Sequence, residues 1–384
     1  MAFCTGSRPA VNSYGVWFAP GRGNLMGEHT DYNEGLVLPF ALAQGVTASV
    51  SLRDDGLLVM RSKQMPDDIV SVPVDALSSA SVRGWAAYPA GVAWALRSEG
   101  VAVPGASIEI DSDLPVGAGV SSSAALECAV ALGLSSLAGL SVTRRALAAI
   151  ARQAENEFVG APTGIIDQHA SLLCEAGHAM LLDCATRSIT QVPFDPAAAG
   201  MVALLIDTRV THALVSGAYA RRRAECEEAA RQLGVPFLGQ VTSLAQVDEL
   251  ADPVLRRRAR HVVSDSARAR AIATALTSGP PAIPASAEIY GYIGKLLTEA
   301  HLSLRNDFEV SWPEADVAVE TVLASGAYGA RMIGGGFGGS VLALVPAERA
   351  TAVRTDITGV FAARGWAPPE FLDAVPSAAA RQIA

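Results

Sequence analysis

Between two apolar stretches, "VWFAP" and "LVLPFAL", the chain carries Arg22, Asn24, Glu28, His29, Thr30, Asp31, Tyr32, Asn33 and Glu34, with glycines among them. The carboxylates of Glu28 and Asp31, beside His29 and Asn24, supply acceptors and donors together. A set of vicinal hydroxyls needs that mixture, because each hydroxyl both donates and accepts. A solvated loop is the alternative, but so dense a polar segment between apolar runs lines a pocket more naturally than it faces bulk water. The composition suits a sugar.

A second segment with chemical content is "PVGAGVSSSAA", Pro115 to Ala125. It combines flexible glycines and three hydroxyls with the expected amino end of a helix. Exposed amides and the positive end of the helix dipole make an anion cradle there, and a phosphate fits it. An ordinary serine-capped helix is the competing reading. The run Gly334 to Gly339 matches G-x-G-x-x-G, yet the following "SVLALV" reads as strand, so a dinucleotide fingerprint is not expected. Its glycines instead allow backbone to approach a ligand or another loop closely. No Walker A loop is present.

Asp167, in "TGIIDQHA", follows two isoleucines. With an arginine nearby it suits a base or a hydroxyl-orienting group, and it could equally cap the following helix. Glu155 and Glu157 both flank an apolar helical stripe, and helical geometry does not choose between them as a magnesium ligand.

These residues need a scaffold, and 384 residues are enough for two domains of roughly 150 to 200 residues each. The balance of 29 basic against 38 acidic residues, net −9, argues against nucleic acid as a partner. No basic start followed by an apolar run marks an export signal, and no apolar run is long enough to span a bilayer, so a cytoplasmic protein is expected. Five scattered cysteines without C-x-x-C spacing point to neither a disulfide framework nor a zinc site.

Apolar runs over residues 36–52 and 56–62 predict strands, "GWAAYPAGVAWALRSEG" a helix, and "ASIEIDSDL" a strand feeding the Gly-Ser turn and a further helix. That helix should present Leu126, Val130, Gly133 and Leu137 on one face. Residues 142–158 carry a stripe of Leu147, Ile150, Ala151, Ala154 and Phe158. A strand pair over "HAMLLDCATRSITQVPF" leads to "DPAAAG", the candidate boundary between residues 1–195 and 196–384. Beyond it lie a strand, a charged helix, a proline-rich loop near Pro280 and an alanine-rich tail.

Taken together, "GRGNLMGEHTDYNEGLVLP", "LPVGAGVSSSAALE" and "GARMIGGGFGGSVLALV", in that order, resemble the three motifs of the galactokinase family of the GHMP small-molecule kinase superfamily. The first departs from the family pattern chiefly where Gly23 replaces the usual valine. The resemblance implies a two-domain α/β (α+β) fold with mixed sheets and the active site in the interdomain cleft. It implies ATP-dependent phosphorylation of the anomeric hydroxyl of α-D-galactose, giving galactose 1-phosphate and ADP at the entry to galactose catabolism. Asp167 would then interact with the attacking hydroxyl and Arg22 would stabilise charge. Glu28, His29, Asp31, Asn33, Gly164 and Tyr219 would hold the sugar. Pro115, Gly117, Ala118, Gly119, Val120, Ser121, Ser122, Ser123, Ala124 and Trp85 would hold ATP, and Ser123 and Glu155 would hold Mg²⁺. A monomer or weak dimer acting on small molecules is expected, with no membrane partner. A kinase for N-acetylgalactosamine or arabinose, or a galactose and ATP sensor, is the alternative. Where the family often has Glu-Asn, this chain has Asp265 and Ser266 in "VVSDSARA".

Overall fold

The structure is a computed structural model that describes residues 13–79, 81–115, 117–161, 163–211, 216–278 and 286–384. Cys4 and residues 279–285 of the expected proline-rich loop lie outside the described residues.

The chain opens with β1 (Tyr14–Asn24), β2 (Leu36–Val37), β3 (Pro39–Arg53), β4 (Leu57–Ser62) and β5 (Met65–Pro73). Helix α1 (Ala87–Ser98) and strand β6 (Gly105–Ser112) precede the Gly-Ser turn and helices α2 (Ser122–Leu137), α3 (Arg144–Gln153) and α4 (Ile166–Leu173). A hairpin of β7 (His178–Asp183) and β8 (Ile189–Pro193) follows, then β9 (Met201–Asp207). Next come helices α5 (Ser216–Gln232), α6 (Leu244–Val247), α7 (Pro253–Thr277), α8 (Ala287–Asn306) and α9 (Pro313–Ala324). Strands β10 (Gly329–Met332) and β11 (Ser340–Pro346), helix α10 (Ala350–Ala363), and strands β12 (Glu370–Asp373) and β13 (Arg381–Gln382) complete the chain.

A six-stranded sheet in the order β13-β1-β3-β6-β4-β5 dominates the first half, with the β4–β6 pair parallel and its other pairs antiparallel. A three-stranded sheet, β2-β7-β8, completes that half, and a four-stranded antiparallel sheet, β10-β11-β9-β12, forms the second. The alternation of "VTASVSL" and "SIEIDS" is that of strands covered on one face, where burial places Val46, Ala48, Val50, Ile108 and Ile110 inward. Helix α2 packs on β1 and β3. It is enclosed nearly all round, burying Ala125, Ala129, Leu134 and Glu127 as well as the expected Val130, Gly133 and Leu137, with the expected Leu126 half-buried, because α1, α3 and α4 cover its other sides. The expected stripe is buried, with Leu147, Ile150 and Ala151 on α3 and Ala154 and Phe158 beyond its end.

The halves are not separate along the chain. The alanine-rich tail returns to the first half: Ala380 N–H donates to Ser171 O at 2.8 Å, β13 adds an edge to the six-stranded sheet by pairing Gln382 with Trp17, and just past it Ala384 O accepts from Val16 N–H at 2.7 Å. Among the described residues no helix is long and apolar enough to cross a membrane.

Candidate active site

Strand β1 runs out of the sheet at Asn24 into a turn that the side chains of the polar segment fold. Thr30 Oγ1 lies 2.9 Å from Gly27 O and 2.8 Å from Leu36 O, and Asn33 Nδ2 donates to His29 O at 2.8 Å. Gly27 (φ 98°), His29 (φ 62°) and Glu34 (φ 57°) all take the left-handed conformation that reverses the chain so tightly. Part of the segment's polarity therefore builds the turn. Asn24 is fully buried beneath it, and Asn33 is buried within it.

What the turn presents is Glu28, His29 and Asp31, on the wall of a cavity of about 370 Å³. Arg22, Asp167, Gly164 and Tyr219 line the same cavity, as do Pro115 and residues 117–123. Arg22 is the junction: its Nε donates to Asp167 Oδ1 at 2.9 Å, and its guanidinium also bonds to Gly119 O. Its backbone N–H donates to Val120 O at 3.0 Å, so β1 fixes the Gly-Ser turn directly.

That turn is not a serine-capped helix start. Ser121 sits at φ 60°, ψ 49°, makes no side-chain cap, and leaves its Oγ buried without a partner. With Gly117 (φ 79°) and Gly119 (φ 71°) also left-handed, the first-turn amides of α2 stay free to meet an anion. The glycine run packs against this turn: a Cβ on Gly334 would touch Gly119 O at 3.4 Å, and one on Gly335 would meet the Tyr219 ring at 3.5 Å. Strand β11 follows the run, as the sequence predicts for a segment that is not a dinucleotide site.

Asp167 does not cap α4 either, since Ile165 occupies the cap position without a side-chain bond and the Asp167 carboxylate faces Arg22. Glu155 and Glu157 are separated by the backbone. Residues Ala154–Val159 form a π-helical segment, which changes which side chains face inward. Glu155 is buried and accepts from Ser123 Oγ (2.9 Å), Thr163 Oγ1 (2.8 Å) and Gln168 Nε2 (2.7 Å), whereas Glu157 is exposed.

Burial governs the electrostatics. It pushes the Glu28 carboxyl up, against the pull of Arg331 and Arg22. It pushes Asp31 up to about 6, with the negative charge of Asp167 adding to the effect. It pushes His29 down to about 3, so the ring is neutral at pH 7. Both ring nitrogens of His29 are engaged within the protein, Nε2 with Gly335 O at 3.2 Å and Nδ1 with Tyr32 Oη at 2.9 Å. A carbonyl only accepts, so Nε2 carries the proton and Nδ1 accepts from Tyr32. His29 thus joins the turn to the glycine run and offers the cavity its ring. Burial also pushes up the carboxyls of Glu155 and Glu127, which share the Gln168 amide.

Three other expected residues lie off the cavity wall. Ala124 is buried behind it, Glu155 is reached through Ser123, and the Trp85 indole N–H donates to Asp68 Oδ2 at 2.9 Å on β5. Thr163, Ile166, Gly334 and Gly335 line the cavity without having been singled out as site residues. For the two glycines the run itself was the signal; Thr163 and Ile166 carry none beyond their closeness to Asp167.

The fold and this site define a small-molecule kinase of the GHMP class. The GHMP kinase N-terminal domain matches residues 87–175, the GHMP kinase C-terminal domain matches residues 286–363, and the galactokinase galactose-binding signature matches residues 6–52. The chain is 48% identical to a galactokinase of Streptomyces coelicolor over 96% of this chain and 94% of that protein. It is 42% identical to a galactokinase of Mycobacterium tuberculosis over 93% of this chain and 95% of that one. The crystal structure of Lactococcus lactis galactokinase complexed with galactose superposes with a TM-score of 0.90 at 31% identity, covering 97% and 96% of the two chains. The chain belongs to the galactokinase family.

Proposed function

We propose that the protein transfers the γ-phosphoryl group of ATP to the anomeric hydroxyl of α-D-galactose, giving galactose 1-phosphate and ADP. The observation that carries this reading is one cavity in which Glu28, Asp31 and the Arg22–Asp167 pair face an uncapped helix N-terminus. Its volume of about 370 Å³ falls in the usual range of small-molecule sites, about 300 to 1,000 Å³.

Glu28 and Asp31 accept hydrogen bonds from the sugar hydroxyls, and the Tyr219 hydroxyl adds a group that both donates and accepts. Asp167 takes the proton of the anomeric hydroxyl or holds it in line while the new O–P bond forms and the bond from Pγ to the bridging oxygen breaks. Arg22 is fixed between Asp167 and the turn that receives the phosphates, so its charge is aimed at the equatorial oxygens of the transferred group. The free amides of residues 121–124 hold the phosphate tail. The family works with Mg-ATP, and although no group of three or more His, Cys, Asp or Glu side chains is poised for a metal among the described residues, Mg²⁺ needs few protein ligands when phosphates and water complete its shell. Ser123 Oγ and Glu155, hard oxygen donors 2.9 Å apart, fit that requirement and would hold the ion, which supplies charge neutralisation at the phosphates.

Residues 1–195 and 196–384 are taken as the two lobes around the cleft, with the tail lent back to the first. Free, buried thiols at Cys128, Cys174, Cys184 and Cys226 suit a reducing cytoplasm, and the acidic surface suits small-molecule partners rather than nucleic acid. The test is ADP release with MgATP across galactose, glucose, N-acetylgalactosamine, arabinose and no sugar. Galactose should exceed the rest; a different preferred sugar would reassign the substrate, and no release with any sugar would end the kinase reading.

A further inference from the structure

The sugar-reading turn belongs to the first half of the chain, but the second half holds its backbone in place. His261 Nε2 on α7 bonds to the Glu28 carbonyl at 3.0 Å, and its other ring nitrogen is 3.0 Å from Ser303 Oγ on α8. One helical turn further, Asp265 Oδ2 accepts the Gly27 N–H at 3.1 Å, while Oδ1 is held by Arg268 at 3.2 Å. Ser266 Oγ accepts the Leu36 N–H at 3.3 Å where the turn returns to the sheet. From the glycine-rich side, Arg331 donates to Leu25 O at 3.2 Å and lies 3.4 Å from Glu28 Oε1. His261, Asp265 and Arg331 are fully buried. None of them lines the cavity.

We propose that His261, Asp265 and Ser266 are positioning residues for the sugar, acting through the backbone of residues 27, 28 and 36 to set where the Glu28 and Asp31 carboxylates stand. The turn needs such a mould. His29 and Glu34 are non-glycine residues held in the left-handed region, and such strain persists only where the surroundings over-determine it. Glu28 has its own carbonyl pinned by His261 and the Gly27 N–H, one residue earlier, pinned by Asp265, so the backbone is fixed from α7 on both sides of the Glu28 Cα that aims its side chain. The fit around Ser266 is equally close: a Cβ on Gly35 would come to 2.5 Å from its Oγ. The opposite wall is held otherwise. The phosphate-side turn is fixed by Arg22, by Ser340 Oγ donating to Ala118 O at 2.7 Å, and by Gly334, and among its described residues none is hydrogen-bonded to α7. Loosening α7 therefore displaces the sugar carboxylates relative to Asp167 and leaves the nucleotide end in place.

The inference rests on the kinase reading, and wild-type protein tests that reading separately: whichever sugar drives ADP release in wild type is used for the variants. His261→Ala should raise KM for that sugar about tenfold or more and weaken discrimination against its epimers, because a buried carbonyl loses its donor. KM for ATP should stay within about threefold, as the phosphate-side wall makes no use of the lost bond. His261→Gln, whose amide N–H can reach the same carbonyl, should recover most of the loss. Ser266→Ala removes only an acceptor and should raise the sugar KM a few-fold, so it carries the test should His261→Ala fail to fold. Sugar and ATP KM values that are both unchanged, or that rise in parallel at a temperature where each variant is folded by circular dichroism, would overturn the proposal.

Discussion

Gly164 has no room for a side chain, and the reason lies in the sugar site. A Cβ there would overlap Oδ2 and Cγ of Asp31 and sit 2.9 Å from Oδ1, against an ordinary contact of 3.4 Å or more. No positive φ is involved, so Gly164→Ala introduces a steric conflict alone. The carboxylate and the 163–165 segment must part by nearly 2 Å, or about 1 Å each, to restore contact distance, which breaks the Ile165 N–H bond to Asp31 Oδ2, now 3.1 Å. Neither side yields freely. Gly164 O is tied to Arg152 Nε at 2.9 Å and Thr163 N–H to Asn156 Oδ1 at 2.8 Å, while Asp31 belongs to the pinned turn. Because Asp167 follows three residues later on α4, either movement alters the spacing between Asp31, the carboxylate proposed to hold the sugar, and Asp167, the group proposed to face the attacking hydroxyl. A displacement of about 1 Å costs on the order of a hundredfold in rate, and we expect kcat/KM for galactose to fall by about that factor with KM for ATP nearly constant. Overpacking of this kind should also cost about 1–3 kcal/mol of stability by thermal melt. Gly359→Ala, at an exposed position of α10 with nothing within 4 Å, is the control and should be neutral or slightly stabilising. If Gly164→Ala kept kcat/KM within about twofold of wild type, the packing of Asp31 against this glycine would play no part in sugar selection.

Three further outcomes follow from the same geometry. Asp167→Asn should leave galactose binding, read by calorimetry, within about tenfold yet cut turnover about a hundredfold or more; near-normal turnover would remove Asp167 from proton handling. Asp31 is pushed up to about 6 by burial and by Asp167, so it gains its proton as pH falls through 6, where an ordinary aspartate would stay charged to about pH 4. Since the charged form is the better acceptor, kcat/KM for galactose should drop below pH 6, and Asp31→Asn, lower throughout, should lack that limb; an unchanged limb in the variant would assign it elsewhere. Ser123→Ala should raise the Mg²⁺ concentration for half-maximal rate and weaken MgADP binding by calorimetry, each about tenfold, with galactose affinity unchanged; an unaltered Mg²⁺ profile would exclude Ser123 as a ligand.

What could be read from the sequence was whatever is set by neighbours in the chain. Apolar runs gave β3 and β4 and alternation gave β6, while β1, β5 and β13 of the same sheet were not read as strands; the 3.6-residue stripe gave α3, and glycines and serines before an apolar run gave the turn at the start of α2. Where backbone conformation departs from those periods, the sequence stopped short. Glu155 and Glu157 are equivalent on an α-helix and become inequivalent through the π-helical segment Ala154–Val159, and Ser121 leaves its capping role because φ is positive there. Gly23, the departure from the family's valine, is explained only by its cross-strand partner: Phe40 fills the space, and a Cβ on Gly23 would overlap its Cζ and lie 2.7 Å from Cε1. The alanine-rich tail likewise looked featureless, yet its backbone closes the edge of the first sheet.

The dense polar segment itself misled in one respect, because residues that bind and residues that fold the binder are the same types. Thr30 and Asn33 spend their hydrogen bonds inside the turn, and His29 spends both nitrogens on Tyr32 and Gly335. Glu28 and Asp31 are left to face the cavity because a carboxylate can accept more bonds than its neighbours supply. Asp31 Oδ2 has the Ile165 amide and Glu28 Oε1 has the Gly334 amide, and each retains lone pairs for a hydroxyl. Counting donors and acceptors along the segment suggests a ligand chemistry, but deciding which residues are free to meet it requires the folded turn that occupies Thr30 and Asn33 and the distant partners Ile165, Gly334 and Gly335.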